Sequence, residues 1–291
     1  MRSTLYNFLD HFSSIYLKRH SSKLRVLAYH TVPDNVKFEE QIQFLISEYN
    51  IISIDTLQLV LNGKTQLPEK PLIITFDDGD FSVYKKGLPV LKKYQLPAIL
   101  FIITDLINTQ ENFWWKQIEK HYQDQGKTYL EARKKVNSLK QVPERERQKY
   151  LSKIPPVEYR QLSTEELEEL SVNRVAIANH THTHPMLNNC SNEEIEEELN
   201  QVQTRFEKLT FAYFNVFAYP NGNWDHRTEK LIQSKGISVA FLFDHQLNKK
   251  SLNPLRISRI AVNTDDDLPE FKVKVSGLHS RVLSLKKSLS T

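Results

Sequence analysis

Asp77 and Asp78 stand side by side at the end of the run Leu72-Ile73-Ile74-Thr75-Phe76, and Gly79 follows them. Apolar and β-branched residues over this length read as a short buried strand, and the glycine lets the chain turn sharply away. Two carboxylates at one strand tip disfavour each other's ionisation. A metal ion removes that cost, leaving one carboxylate as ligand and the other free as a base. A surface Asp-Asp-Gly turn accounts for these residues about equally well, and the rest of the chain decides against it.

The second cluster is Asn179-His180-Thr181-His182-Thr183-His184-Pro185, three histidines in five residues after a strand-like run at 174–178. His180 and His184 are four apart, share one face of a helical turn and can hold one ion. Pro185 disfavours the α conformation at His184, so the segment is a single turn or a loop. A zinc-protease helix needs Glu directly after the first histidine, and Thr181 stands there instead, which excludes that reading. His182 lies between the pair and is expected to point elsewhere. A histidine-rich surface loop is the bland alternative, and the acid pair elsewhere in the chain argues against it. The turn Tyr219-Pro220-Asn221-Gly222 and His30 likewise follow predicted strands, at 214–219 and 23–30. In a barrel of parallel strands all four sites converge on one face, where active sites are built.

The elements that must position these residues alternate. Strands are predicted at 23–30, 50–54, 72–76 and 98–103, with helices at 38–49 (Ile42, Phe44 and Leu45 inward), from a cap of Asp55 with Gln58 through 61, and from about 82 with Tyr84, Leu88, Leu91 and Tyr94 in phase. Strand, helix, strand is the rhythm of a parallel sheet or barrel. Residues 105–160 break it: they hold 12 Lys and Arg against 8 Asp and Glu, the whole net charge of +4, and suggest two or three inserted helices (129–140, 144–153). Trp114 and Trp115 are expected to anchor this insertion, stacking on a sugar being the less common use. The rhythm resumes with capping boxes at Ser163/Glu166 and Ser191/Glu194, a solvated face of glutamates at 193, 194 and 196–198, a helix at 227–234 and strands at 237–243 and 257–262.

At 291 residues the chain can bury a full core as one barrel domain. Its 39 Lys and Arg against 35 Asp and Glu are too nearly balanced to argue for nucleic acid, and a single cysteine, Cys190, excludes an intrachain disulfide framework. No stretch is apolar enough to span a bilayer, and the first 23 residues lack the apolar core of a secretory signal, so a cytoplasmic protein is expected. Leu5, Phe8, Leu9, Phe12 and Ile15 share one helical face, read as a helix docked on the domain; contact of residues 5–16 with a membrane surface would be weak, since basic residues are few. The expected division is a helix at 1–22, a barrel at 23–280 with its insertion, and a tail at 281–291.

Taken together, Thr75-Phe76-Asp77-Asp78-Gly79, with a helix and Leu96-Pro97-Ala98-Ile99-Leu100-Phe101-Ile102 after it, resembles the first motif of the polysaccharide deacetylases, the NodB-homology domain of carbohydrate esterase family 4. His180 and His184 match the family's paired-histidine motif. Phe217-Ala218-Tyr219-Pro220-Asn221-Gly222 and Leu255-Arg256-Ile257-Ser258-Arg259-Ile260 are similar to the poly-N-acetylglucosamine deacetylase-like branch. The resemblance covers roughly residues 24–263, and its first two motifs together are highly specific.

It implies an α/β fold, a distorted (β/α)7 barrel, that removes acetyl from an N-acetylated sugar or glycan precursor. Asp78, His180 and His184 would hold one divalent metal ion, zinc foremost, with Asp77 as base and a turn amide after Tyr219, that of Asn221, on the oxyanion. Two departures concern the third motif. Ala218 stands where many members carry an arginine that orients the base, so Arg259, or less readily Arg256, would reach in instead. Asn221 replaces a common tyrosine, which keeps a main-chain donor and removes a ring. The family's late Leu-x-Leu-His general acid is also missing: His279 lies in Ser276-Gly277-Leu278-His279-Ser280, past the last predicted strand, whereas Leu27-Ala28-Tyr29-His30 closes the first. First and last strands are neighbours in a closed barrel, so His30 is the expected proton donor. The rivals are a catalytically silent barrel that binds carbohydrate or a partner, and an esterase for O-acetylated sugars.

Overall fold

The computed structural model describes residues 2–281. Its strands are β1 (Arg25–Tyr29), β2 (Asn50–Ile51), β3 (Pro71–Phe76), β4 (Ala98–Ile102), β5 (Val175–Asn179), β6 (Tyr213–Ala218), β7 (Val239–Phe241) and β8 (Ile260–Ala261). All pair in parallel, in the order β7-β6-β5-β4-β3-β1-β8, with the two-residue β2 beside the start of β3. Ile257 bridges in parallel to Phe241, while Ile260 and Ala261 pair with Leu27 and Ala28. The segment 257–261 therefore touches β7 at one end and β1 at the other, and the sheet closes into a distorted seven-stranded barrel.

The period of two along each strand decides what faces the barrel interior. Val26, Ile73, Ile99, Phe101, Ala178, Val216 and Phe241 meet in one buried cluster filling the ring, while Leu27, Ile74, Phe76, Leu100 and Ile177 face the helices. β1, β3 and β4 are buried along their whole length, as parallel strands covered on both faces must be. Continuing the inward rows past the strand ends gives 73-75-77, 26-28-30 and 176-178-180. Alternation alone thus aims Asp77, His30 and His180 at the axis.

The helices are α1 (Arg2–Arg19), α2 (Asn35–Glu48), α3 (Ile54–Leu61), α4 (Leu88–Lys93), α5 (Trp114–Asp124), α6 (Tyr129–Leu139), α7 (Glu144–Leu151), α8 (Thr164–Val172), α9 (Asn192–Lys208), α10 (His226–Ser234) and α11 (Leu268–Ser276). The capping boxes at Ser163 and Ser191 form as read. The cap of α3 does not: Ser53 takes the Thr56 amide, so the helix starts earlier and Asp55 falls in its first turn. The segment after Ser82 opens as a π-helical turn, Val83–Gly87, before α4. The insertion contains three helices, α5 to α7.

The first helix docks, but not by the expected face. Tyr6, Ser13 and Leu17 are buried where α1 lies along α11, while Leu5, Phe8, Phe12 and Ile15 stay exposed. The docking is fixed from its C-terminal end. Buried Arg25 donates to the carbonyls of His20 and Lys23 on one side and of Val275 and Ser276 on the other. Among the described residues no helix is long and apolar enough to cross a membrane. The tail expected at 281–291 lies outside the described residues apart from Arg281.

Candidate active site

At the carboxyl ends of the strands a cleft of about 430 Å³ gathers Asp77, Asp78, His180, His184, His30 and Asn221. A hollow beside α1 is slightly larger, about 480 Å³, but its lining contains no imidazole and none of these groups. Reactivity, not size, identifies the site.

Asp78, His180 and His184 are buried and offer donor atoms within 4.8 Å of one another. Asp78 Oδ1 lies 3.4 Å from Nε2 of His180 and 3.5 Å from Nε2 of His184. The other ring nitrogen of His180 donates to the Ala218 carbonyl at 2.9 Å, which turns Nε2 toward Asp78. Burial, together with the charges of His180, Arg147 and Lys140, holds His184 well below the usual imidazole range, so it is neutral and can ligate. Burial opposes charge on His180 too, but its hydrogen bond to Asp78 and the charges of Asp77 and Asp78 raise it, so this spot draws positive charge. The Nδ1 of His184 is buried with no partner among the described residues. Such an orphan costs about 1–3 kcal/mol. The donor set therefore fits a divalent cation: one carboxylate and two imidazoles, with coordination positions left open.

The backbone around this centre is strained. Asp78, Thr181, His184 and Asn221 have φ of 71°, 69°, 58° and 57°. Aspartate and asparagine tolerate the left-handed region, but for β-branched Thr181 it is an outlier. Glu198 of α9 holds the histidine loop in that shape, accepting from the amides of His182 and Thr183 at 2.8 and 2.9 Å and from the Thr183 hydroxyl. Glu198 is thus not on the solvated face expected for the α9 glutamates; it turns inward because the loop offers unpaired amides. His182 points away, its ring beside Thr104 and Asp105. His184→Ala is accordingly expected to lower bound divalent metal strongly and His182→Ala to leave it near one ion per chain, read by elemental analysis. Equal loss from both would refute this ligand set.

Asp77 is held differently. Arg259 is fully buried in the seam between β7 and β8 and grips Asp77 through two bonds, Nη1 to Oδ1 at 2.6 Å and Nη2 to Oδ2 at 2.8 Å. Its remaining donors go to the Leu242 carbonyl and the Thr75 hydroxyl. Burial pushes the Asp77 carboxyl up, and the Arg259 charge, with help from His180 and His30, wins and holds it below the ordinary range. Arg256 takes no part: its guanidinium pairs with Glu229 over the Trp224 ring, away from the cleft.

His30, just past β1, opens onto the cleft with its ring 5.4 Å from that of Phe243. The turn after β6 contributes through its backbone. The amide of Asn221 donates to no group among the described residues, and the next residue must be glycine: a Cβ on Gly222 would sit 2.7 Å from Phe243. Tyr219 requires a correction as a cleft residue. Its side chain is fully buried against Phe217, with its hydroxyl on the Leu255 carbonyl, because an apolar pocket beneath the turn receives the ring.

The insertion supplies a wall that motif reading missed. Trp115 places its ring 4.9 Å from that of His184, so it lines the cleft, whereas Trp114 is buried as an anchor under Arg147. Arg147, paired with Glu144, donates to the His184 carbonyl at 3.1 Å. Lys116, Glu119, Tyr129, Arg133 and Lys140 complete the wall. The only sequence signal was the concentration of charge in 105–160.

Parallel barrels do their chemistry where the strands end, and an ionised acid beside a carboxylate–imidazole centre is the equipment of a hydrolytic barrel enzyme; the chain is of that class. The model of the polysaccharide deacetylase family matches residues 64–240, and the chain belongs to that family. It is 25% identical over 276 residues to poly-beta-1,6-N-acetyl-D-glucosamine N-deacetylase of Staphylococcus aureus, covering 94% of this chain and 80% of that one. A putative polysaccharide deacetylase of Bacillus subtilis, YxkH, is 22% identical over 226 residues, and the matched region spans 63% of its length. Among solved structures, IcaB from Ammonifex degensii superposes with a TM-score of 0.62 at 19% identity over 88% of this chain and 97% of that one. The Streptococcus pyogenes deacetylase PplD gives 0.60 at 17% identity over 87% and 98%. Both likenesses bear on the fold.

Proposed function

We propose that the chain hydrolyses the N-acetyl group of an N-acetylhexosamine-containing saccharide, with a divalent metal ion, zinc, held by Asp78, His180 and His184. The observation that carries this reading is the convergence of those three side chains within 4.8 Å beside an acid that Arg259 keeps ionised. The name of the S. aureus relative, a poly-beta-1,6-N-acetyl-D-glucosamine N-deacetylase matched over 94% of this chain, supports the same substrate class.

When bound, the ion polarises the acetyl carbonyl and acidifies water. Asp77 takes a proton from the attacking water; being ionised, it is ready to accept one. As the oxygen of that water bonds to the carbonyl carbon, negative charge develops on the carbonyl oxygen, and the unengaged amide of Asn221 is placed to receive it. Breaking the C–N bond then expels an amine, a poor leaving group unless protonated, and His30, which lines the cleft, delivers that proton. The products are acetate and the free amino sugar.

Acetate release from a panel of N- and O-acetylated saccharides, with and without chelator, tests the reading. Release from N-acetylated members that chelator abolishes is expected. Release from O-acetyl sugars alone, or from none, would overturn it. His30→Ala is expected to keep fold and metal and to lose at least about tenfold in amide turnover, while hydrolysis of activated aryl esters, whose leaving groups need no proton, falls far less. Equal loss on both substrates would remove His30 as the acid.

A further inference from the structure

The wall built by the insertion is charged beyond what its own acids balance. Lys116 and Arg133 share one carboxylate, that of Glu119, at 2.9 and 3.0 Å. Lys140 has no carboxylate within ion-pair distance among the described residues; its ammonium donates to the neutral Oδ1 of Asn221 at 2.7 Å. Of the acids of the centre only Asp78 bears on it electrostatically, from beyond ion-pair distance and while facing two imidazoles, and Asp77 is gripped by Arg259.

Lys140 is also held in place. It caps α6, its carbonyl accepts from Asn189 in the loop after β5 at 2.8 Å, and its ammonium reaches the turn after β6. An ammonium fixed from both ends in a half-buried position has already lost the rotamer freedom that a surface lysine would lose on binding. Burial and the neighbouring Arg133 weigh against its charge more than Asp78 supports it. The position calls for an anion, and a neutral N-acetylhexosamine brings none.

We propose that Lys140, Arg133 and Lys116 form a subsite for an oxyanion, a phosphate or a carboxylate, borne by the saccharide on or next to the N-acetylhexosamine. The substrate is then an anionic glycan, and the inference rests on the deacetylase reading above. Arg133 offers a planar fork suited to either group and Lys140 a point charge. Of the twelve basic residues in 105–160, these three line the cleft.

The test compares three N-acetylated oligosaccharides: a neutral β-linked N-acetylglucosamine oligomer, the same oligomer phosphorylated, and one alternating with glucuronic acid. At low salt at least one charged member is expected to exceed the neutral one in kcat/KM by about 10- to 100-fold, chiefly through KM, with the gap closing as salt rises. The favoured member tells phosphate from carboxylate. In Lys140→Met and Arg133→Met the ratio should fall toward one, and Lys140→Arg should retain it. Equal kcat/KM for charged and neutral members in the unsubstituted protein overturns the proposal, as does a preference that neither substitution lowers. Should the variants not fold, the unsubstituted protein and its salt dependence decide alone. Calorimetric binding of N-acetylglucosamine 6-phosphate against N-acetylglucosamine needs no turnover. Hydrolysis of the neutral oligomer without anion preference sinks the subsite and spares the deacetylase reading; Lys140-dependent binding of the phosphate without hydrolysis of any member does the reverse.

Discussion

Asp77→Asn is expected to lower turnover by about 10²–10⁴ while divalent metal content stays at the level of the unsubstituted protein. The amide keeps the shape of the carboxyl but cannot accept a proton from water. Its carbonyl oxygen can still receive Nη1 of Arg259, whereas its amino group must face Nη2, so one of the two bonds seen at 2.6 and 2.8 Å is lost. Melting is therefore recorded with each assay, and turnover measured well below the transition. Activity that collapses only in step with metal content would make Asp77 a ligand and overturn the division of labour between the two acids.

The largest effect on stability is expected from Arg259→Met. Removing one partner of a buried, hydrogen-bonded pair leaves an uncompensated charge, at a cost of about 3–5 kcal/mol. The sign with pH follows from Asp77, whose folded value lies below its ordinary one. Its contribution is present above the unfolded carboxyl value of about 3.9 and is lost as pH falls through the folded value. In the variant, burial acts on Asp77 with only His180 and His30 to oppose it, and its carboxyl rises. The gap between the two proteins in denaturant unfolding should thus be full at neutral pH and narrow toward acid. Arg259→Met/Asp77→Asn should be more stable than Arg259→Met. A double variant no better than the single one would show that the loss comes from packing against Phe101 and Phe243 and not from charge.

The parts of the site legible in the sequence are those that strand alternation controls. A strand ending at Phe76 sends residue 77 to the same face as 73 and 75, and the same rule places His30 and His180, so a linear reading could gather them. Arg259 was reachable only through a resemblance, because its partner is 182 residues away and no local pattern links them. The insertion wall escaped for a different reason. Helical periodicity tells which residues share a face but not what that face meets, so nothing set Lys140 and Arg133 apart and Trp115 read as an anchor. Glu198 was hidden among equivalent glutamates, since only the unpaired amides of a loop 15 residues earlier set it apart. Tyr219 opens the turn that was read as a site, but the strand's alternation carries its ring into the core.

Ring closure by the segment 257–261 gives the molecule an order in time. On a ribosome the carboxylates emerge first, the imidazoles next and the guanidinium of Arg259 last, because it lies in the seam that joins β7 to β1. Before that seam forms, both flanking strands are open edges able to pair with another chain, and Asp77 lacks the guanidinium that grips it in the folded chain. The same short stretch therefore ends the period of aggregation risk and brings Asp77 its last partner.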